Sequence, residues 1–174
     1  SWISRVVFSP DRETLASGAG DGTVQLWRLS DGGLRRELKG HTAAVRSLAF
    51  SPNNEILASG AEDGTARLWL VADGTELHVL KGHSGSVASV AFAPDSRLLA
   101  SGAGDGSVRL WEAPNGWQTP NLPWPRVMGG HARAVWSVAF SPNGQILASG
   151  SEDHTVRLWQ VSGARPLLTL EGHT

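Results

Sequence analysis

Histidine, serine and aspartate recur together along this chain, and that trio can perform acyl transfer. The complete sets are His41, Ser59 and Asp63; His83, Ser101 and Asp105; and His131, Ser149 and Asp153. Each is followed by a tryptophan, Trp69, Trp111 or Trp159. An incomplete set, Ser17, Asp21 and Trp27, comes first without a histidine, and His173 comes last without a set. A serine hydrolase needs one nucleophile, one base that activates it, one carboxylate that orients the base, and one oxyanion hole. Sets of equal composition repeated along the chain do not fit that economy, so no catalytic centre is expected. A metal is not expected either. Four histidines, His41, His83, His131 and His173, fall one per repeat, while His78 and His154 stand alone. Neither of those two shows the close spacing of zinc ligands. The absence of cysteine excludes disulfides, thiolate metal sites and cysteine nucleophiles, and says nothing about redox compartment. No cofactor is implied.

What positions these residues is a repeat. Leu57-Ala-Ser-Gly-Ala-Glu-Asp-Gly-Thr-Ala-Arg-Leu-Trp69 has counterparts ending at Trp27, Trp111 and Trp159, so the steps between tryptophans are 42, 42 and 48 residues. A Gly-His pair keeps the same beat at 40–41, 82–83, 130–131 and 172–173. A period in the low forties marks a repeat architecture. The chain has 174 residues, 40% hydrophobic and 18% charged, a globular composition. Its formal net charge of −1 gives no overall pull toward nucleic acid or an anionic membrane, and neither is expected as a partner. No apolar run approaches the ~20 residues of a membrane span. The expected location is cytoplasmic. The chain begins with Ser1, which suggests a processed product or an excised piece.

Within each repeat the pattern gives four short strands. In the second copy, an apolar run from Val45 ends at Ser51-Pro52-Asn53-Asn54, a turn in which proline presets φ and asparagine tolerates the left-handed region. A second strand from Ile56 ends at Asp63-Gly64, a strong hairpin signal. The third strand alternates, with Thr65, Arg67 and Trp69 on one face and Ala66, Leu68 and Leu70 on the other. The fourth strand precedes Lys81-Gly82-His83. Such a meander is apolar on both faces, so it must be covered on both sides by further copies. Radial stacking of four-stranded sheets is a β-propeller. The fold class is therefore all-β, with antiparallel blades at 1–42, 43–84, 85–132 and 133–174 of a single repeat domain. An insertion at 112–130 holds Pro114, Pro120, Pro123, Pro125, Trp117 and Trp124 and is read as a loop, because proline removes ladder donors.

Gly-His, Ser-Gly, Asp-Gly and Leu-Trp at this spacing resemble the WD-repeat β-propeller family over the whole chain. The aspartate of the family's Trp-Asp dipeptide is missing after Trp27, Trp69, Trp111 and Trp159, whereas the turn aspartates Asp21, Asp63, Asp105 and Asp153 are present. His154 replaces glycine in the last of these turns, which predicts mild strain. The resemblance implies that each Trp, Ser, His and Asp form a buried hydrogen-bond relay that stabilises the blade. It also implies a noncatalytic scaffold for protein partners; the alternative is a regulatory or substrate-recruiting segment of a larger multidomain enzyme.

Candidate partner-binding residues are Trp2, Arg46 and Trp136, at first-strand positions near a channel or rim, and Trp117 and Trp124 in the insertion. The two insertion tryptophans belong either to a polyproline ligand or to a loop folded back so that both are buried; the second is favoured, because two exposed indoles are a liability. Strand counting puts the insertion on the side of the Ser-Pro turns, opposite the Gly-His turns. Arg35, Arg36 and Lys39 read as a charged edge strand. Closing four blades alone needs about 90° between neighbours, while blades of this family suit roughly 45–60°. The expectation is a half ring that self-associates into an eight-bladed homodimer, with His173 of one chain completing the Ser17, Asp21 and Trp27 relay of the other.

Overall fold

A computed structural model describes residues 1–113 and 115–173; Pro114, named above, and Thr174 lie outside the described residues. The described strands form four four-stranded antiparallel meanders. The first contains β1 (Ile3–Phe8), β2 (Thr14–Ala19), β3 (Val24–Arg28) and β4 (Leu34–Leu38). The second contains β5 (Val45–Phe50), β6 (Ile56–Ala61), β7 (Ala66–Leu70) and β8 (Glu76–Leu80). The third contains β9 (Val87–Phe92), β10 (Leu98–Ala103), β11 (Val108–Glu112) and β12 (Arg126–Met128). The fourth contains β13 (Val135–Phe140), β14 (Ile146–Ser151), β15 (Val156–Gln160) and β16 (Arg165–Leu170). Among the described residues no helix is long and apolar enough to cross a membrane.

The turns follow from their residues. Arg12, Asn54, Ser96 and Gly144 take positive φ in the turns between first and second strands, and the side-chain oxygens of Asp11, Asn53, Asp95 and Asn143 accept the backbone N–H two residues on. Gly22, Gly64 and Gly106 sit at φ 87°, 75° and 76° in the Asp-Gly turns, and His154 is held at 67° in the fourth copy. A residue with a Cβ is disfavoured there, which is the strain expected at His154. Ser4, Arg46 and Trp136 fall where the pairing of first and second strands skips a residue, so a bulge turns each away from the ladder.

Blades stack through their first strands: β1 lies against β5, β5 against β9, and β9 against β13. The core consists of three clusters, one at each junction. Leu26, Val24 and Ala16 of the first blade meet Val45, Leu48 and Trp69 of the second. Leu68 of the second blade meets Val87, Leu99 and Trp111 of the third, and Leu110 of the third meets Val135, Leu147 and Trp159 of the fourth. Leucine and tryptophan, adjacent in the third strand, thus serve opposite junctions. The sheets are not closed into a ring. Ile3, Val6 and Phe8 at one end and Leu168 and Leu170 at the other remain exposed.

The insertion is shorter than its sequence suggests. Residue 112 ends β11, and β12 pairs Met128 with Val108 and Arg126 with Leu110, so the loop runs only from 113 to 125. The correction has a simple cause. The prolines stop at Pro125, and Arg126, Val127 and Met128 retain the N–H groups that a ladder needs.

Candidate functional site

The second strand presents serine, the third presents tryptophan, and the turns before and between strands bring histidine and aspartate to the same point. In the second blade, the Trp69 Nε1–H donates to Ser59 Oγ at 2.8 Å, Ser59 Oγ lies 2.7 Å from His41 Nε2, and His41 Nδ1 lies 2.9 Å from Asp63 Oδ2. The third blade repeats this with Trp111 to Ser101 at 2.9 Å, Ser101 to His83 at 2.8 Å, and His83 to Asp105 at 3.1 Å. The fourth has Trp159 to Ser149 at 2.8 Å, Ser149 to His131 at 2.7 Å, and His131 to Asp153 at 2.9 Å. A neutral imidazole protonated on Nδ1 makes each chain consistent: indole N–H to hydroxyl, hydroxyl to Nε2, Nδ1–H to carboxylate. The order Ser, His, Asp is that of a hydrolytic triad. Two features set it apart from one. Ser59, Ser101 and Ser149 are essentially fully buried, and an indole N–H occupies a lone pair on each hydroxyl. The first blade has only part of the chain, with the Trp27 Nε1–H donating to Ser17 Oγ at 2.8 Å and Asp21 accepting from Thr23.

The electrostatics agree with a neutral imidazole. Burial lowers the pKa of His41 below 6.5, and the partly compensating attraction of Asp63 does not restore it; His83 is lowered for the same reason beside Asp105. Burial alone raises the Asp63 carboxyl, but the Thr65 hydroxyl, the Thr42 N–H and His41 outweigh it and hold the pKa at about 2. Asp105 is likewise held at about 2, burial being outweighed by Ser107, the Ser84 N–H and His83. Asp153 is lowered as well, where Thr155, His131 and the Ala132 N–H outweigh burial. Among the described residues no group of three or more His, Asp or Glu side chains gathers as metal ligands would.

The candidate partner-binding residues separate into three places. Trp2 and Arg46 come together across the first junction, the guanidinium 5.4 Å from the indole centroid and its Nε bonded to Glu62 at 2.9 Å. Trp136 stands apart on the fourth blade, exposed, beside Ser137, Gly150, His154 and His173 around a cavity of about 320 Å³. The insertion tryptophans diverge, and two expectations need correction. Trp117 is 5% exposed, with its N–H bonded to the Ser96 carbonyl at 2.7 Å and its ring edge-on to Phe92 at 5.8 Å, so it is a core residue and no partner can reach it. Trp124 is 93% exposed, so the loop does not bury both indoles. Pro123 and Pro125 fix the backbone on either side of Trp124, and Leu122 makes the core contact of this stretch. Ser96 belongs to a first-to-second strand turn, so Trp117 holds the insertion on that side of the molecule. In the edge strand, Lys39 pairs with Glu37 at 2.6 Å, and Arg36 reaches the Asp73 carbonyl at 3.2 Å.

The family model for the WD domain, G-beta repeat, matches residues 1–28, 32–69, 74–112 and 125–160. The chain belongs to the WD40 repeat family. Repeats of this family generally act as noncatalytic scaffolds for protein interaction. The chain is similar over one blade's length to nuclear distribution proteins: 46% identical over 43 residues to nudF 2 of Penicillium rubens, and 44% identical over 46 residues to nudF of Aspergillus flavus and of Aspergillus oryzae. These matches cover 25–26% of this chain and 9–10% of the relatives.

Two further positions beside the relays of this WD40 chain were missed in the sequence. Thr65, Ser107 and Thr155 donate hydroxyl bonds of 2.7 Å to the relay aspartates two residues before them. Arg67, Arg109 and Arg157 lie over the glycine that precedes each relay histidine, where a Cβ on Gly40, Gly82 or Gly130 would collide with the guanidinium. Both signals were in plain view as Asp-x-Thr/Ser and as an arginine two residues before Trp69, Trp111 and Trp159. Reading the third strand only as an alternation of apolar and polar residues hid them.

Proposed function

We propose that this WD40 chain is a noncatalytic scaffold for protein partners, that its Trp-Ser-His-Asp relays stabilise blades and do not turn over substrate, and that two copies complete an eight-bladed ring. The observation that carries the first part is the burial of Ser59, Ser101 and Ser149 behind an indole N–H in three successive blades, while Trp2, Arg46, Trp136 and Trp124 face solvent. Side chains that could attack a substrate are sealed; side chains that could hold a partner are displayed. Aromatic residues and arginine are the groups that dominate binding energy at protein interfaces. The ring supplies a cover for the exposed ends, and in it His173 of each copy joins Ser17, Asp21 and Trp27 of the other.

The test compares quantitative affinity capture, from the cells that express the chain, by the wild type and by Trp2→Ala/Trp136→Ala. A stoichiometric protein partner held by the wild type and lost by the variant, with unchanged melting, supports the reading. Ester or peptide hydrolysis that disappears in Ser59→Ala while the fold persists contradicts it.

A further inference from the structure

Each closed junction has a repeated lock. A Cβ placed on Gly18, Gly60 or Gly102 would meet Cγ1 of Val45, Val87 or Val135 at 2.6, 2.7 and 2.6 Å. The second strand thus carries glycine because the valine that opens the next blade's first strand sits on it. Gly150 is the fourth member of this series, and a Cβ there meets nothing within 4 Å. It borders the cavity of about 320 Å³ on the open face of the fourth blade. The residue that aligns with Val45, Val87 and Val135 is Ile3, 55% exposed where those three are 0% exposed.

A polar lock repeats beside it. Ser47 Oγ accepts the Val90 N–H at 3.0 Å, and Ser89 Oγ accepts the Val138 N–H at 3.2 Å, each bond crossing from one blade to the next. Ser137 is the next hydroxyl in that series and is exposed. Val6 is the residue that aligns with Val90 and Val138 at the other end of the chain. Both halves of one junction therefore exist within the described residues, on the first and fourth blades, and neither is covered there.

We infer that the open face of the fourth blade receives the first blade of a second copy, with Ile3 of that copy seated on Gly150 and its Val6 N–H bonded to the Ser137 hydroxyl. This rests on the ring reading above and specifies its joint. Two such joints, related by a two-fold axis, cover all the open faces in one particle. The joint uses the glycine contact of all three closed junctions and the serine bond of two of them, and asks for no new surface.

The experiment measures mass by light scattering across a dilution series for the 174-residue chain and its variants. Gly150→Ala places a Cβ under Ile3 of the second copy, in a contact that real side chains do not make, yet leaves the chain's own packing untouched. Melting of the dilute chain serves as the folding control. Two joints, each weakened at least about tenfold by overpacking, weaken association by about 100-fold. Ile3→Ala in the Gly150→Ala background removes the colliding carbon and recovers at least about tenfold of that loss. A wild type that pairs while Gly150→Ala and Gly150→Leu pair equally well overturns the joint and leaves self-association standing. A wild type that stays at one chain's mass throughout overturns the ring and the joint together.

Discussion

The junction between the third and fourth blades and the two uncovered blade faces use equivalent apolar positions of the repeat and differ in what covers them. Leu38, Leu80 and Met128 are 3%, 5% and 2% exposed inside closed junctions, whereas Leu170 at the same position in the last blade is 48% exposed. Leu48, Val90 and Val138 are 5–6% exposed, whereas Val6 is 57% exposed. A repeat chain writes one interface several times, and its end blades carry halves of that interface whether or not a partner is present. The difference shows that apolar character at the ends is a property of the repeat and not of a separately shaped surface. It also gives a ruler, because every substitution at an end has a counterpart inside.

The largest contrast should come from the third-strand leucines. Leu110→Ala opens a cavity at a closed junction and is expected to cost about 2–5 kcal/mol in denaturant unfolding. Leu158→Ala at the free face should cost clearly less in the dilute chain, and the two should converge as concentration rises if a second copy covers Leu158. Equal costs at every concentration would break the comparison.

The relays give the next contrast. Ser59→Ala leaves the Trp69 N–H and a His41 nitrogen unpaired in the core, a loss of about 1–3 kcal/mol, and Asp63→Ala should cost about the same. In the dilute single chain, where Asp21 holds only Thr23 and is exposed, Asp21→Ala should change thermal stability by less, and the effect should grow with concentration as His173 of a second copy joins the relay. An effect as large as that of Asp63→Ala would show that the first blade's relay is already complete.

Acid should weaken the relays of the second and third blades. The pKa values of His41 and His83 lie below 6.5 in the folded chain, so on lowering pH the unfolded chain takes up protons first. Their contribution is full above pH 6.5 and is lost as the pH falls toward the folded values. Asp63 and Asp105, held at about 2 against an ordinary 3.8, add a second loss with the same sign as the pH falls below 3.8. Melting temperature should therefore decline from pH 7.5 to 5 and again below 4. His41→Gln, which removes the titrating ring, should flatten the first decline; an unchanged slope would contradict the assignment.

The smallest effect is expected at the exposed Trp2, Arg46 and Glu62 group. Arg46→Ala should change stability by no more than about 1 kcal/mol, because a solvated ion pair and an exposed cation–π contact are both weak. A larger loss would mean that this group holds the first junction together and is not free for a partner.

Much of this was legible in the sequence, for identifiable reasons. Turn chemistry at Ser51-Pro52 and Asp63-Gly64 set the strand boundaries, and the adjacent Leu68 and Trp69 required cover on both faces of the sheet. The Gly-His, Ser, Asp and Trp positions were readable as one group because the period is regular. The insertion was misjudged at its edges, since a proline-rich stretch masks the short ladder at Arg126–Met128. The divergence of Trp117 and Trp124 was not legible at all. Both are tryptophans among prolines, and only the Ser96 carbonyl and the Phe92 ring, distant in sequence, decide which one is buried. The glycine series at 18, 60, 102 and 150 was visible as Ser-Gly, but its purpose depends on a neighbouring blade.

Whether the uncovered first and fourth blade faces are two halves of one joint is decided by the molar mass of the wild-type chain in solution. A particle of two chains that persists on dilution into the micromolar range and separates only below it is the expected result. A particle of 18.4 kDa at all concentrations would contradict it.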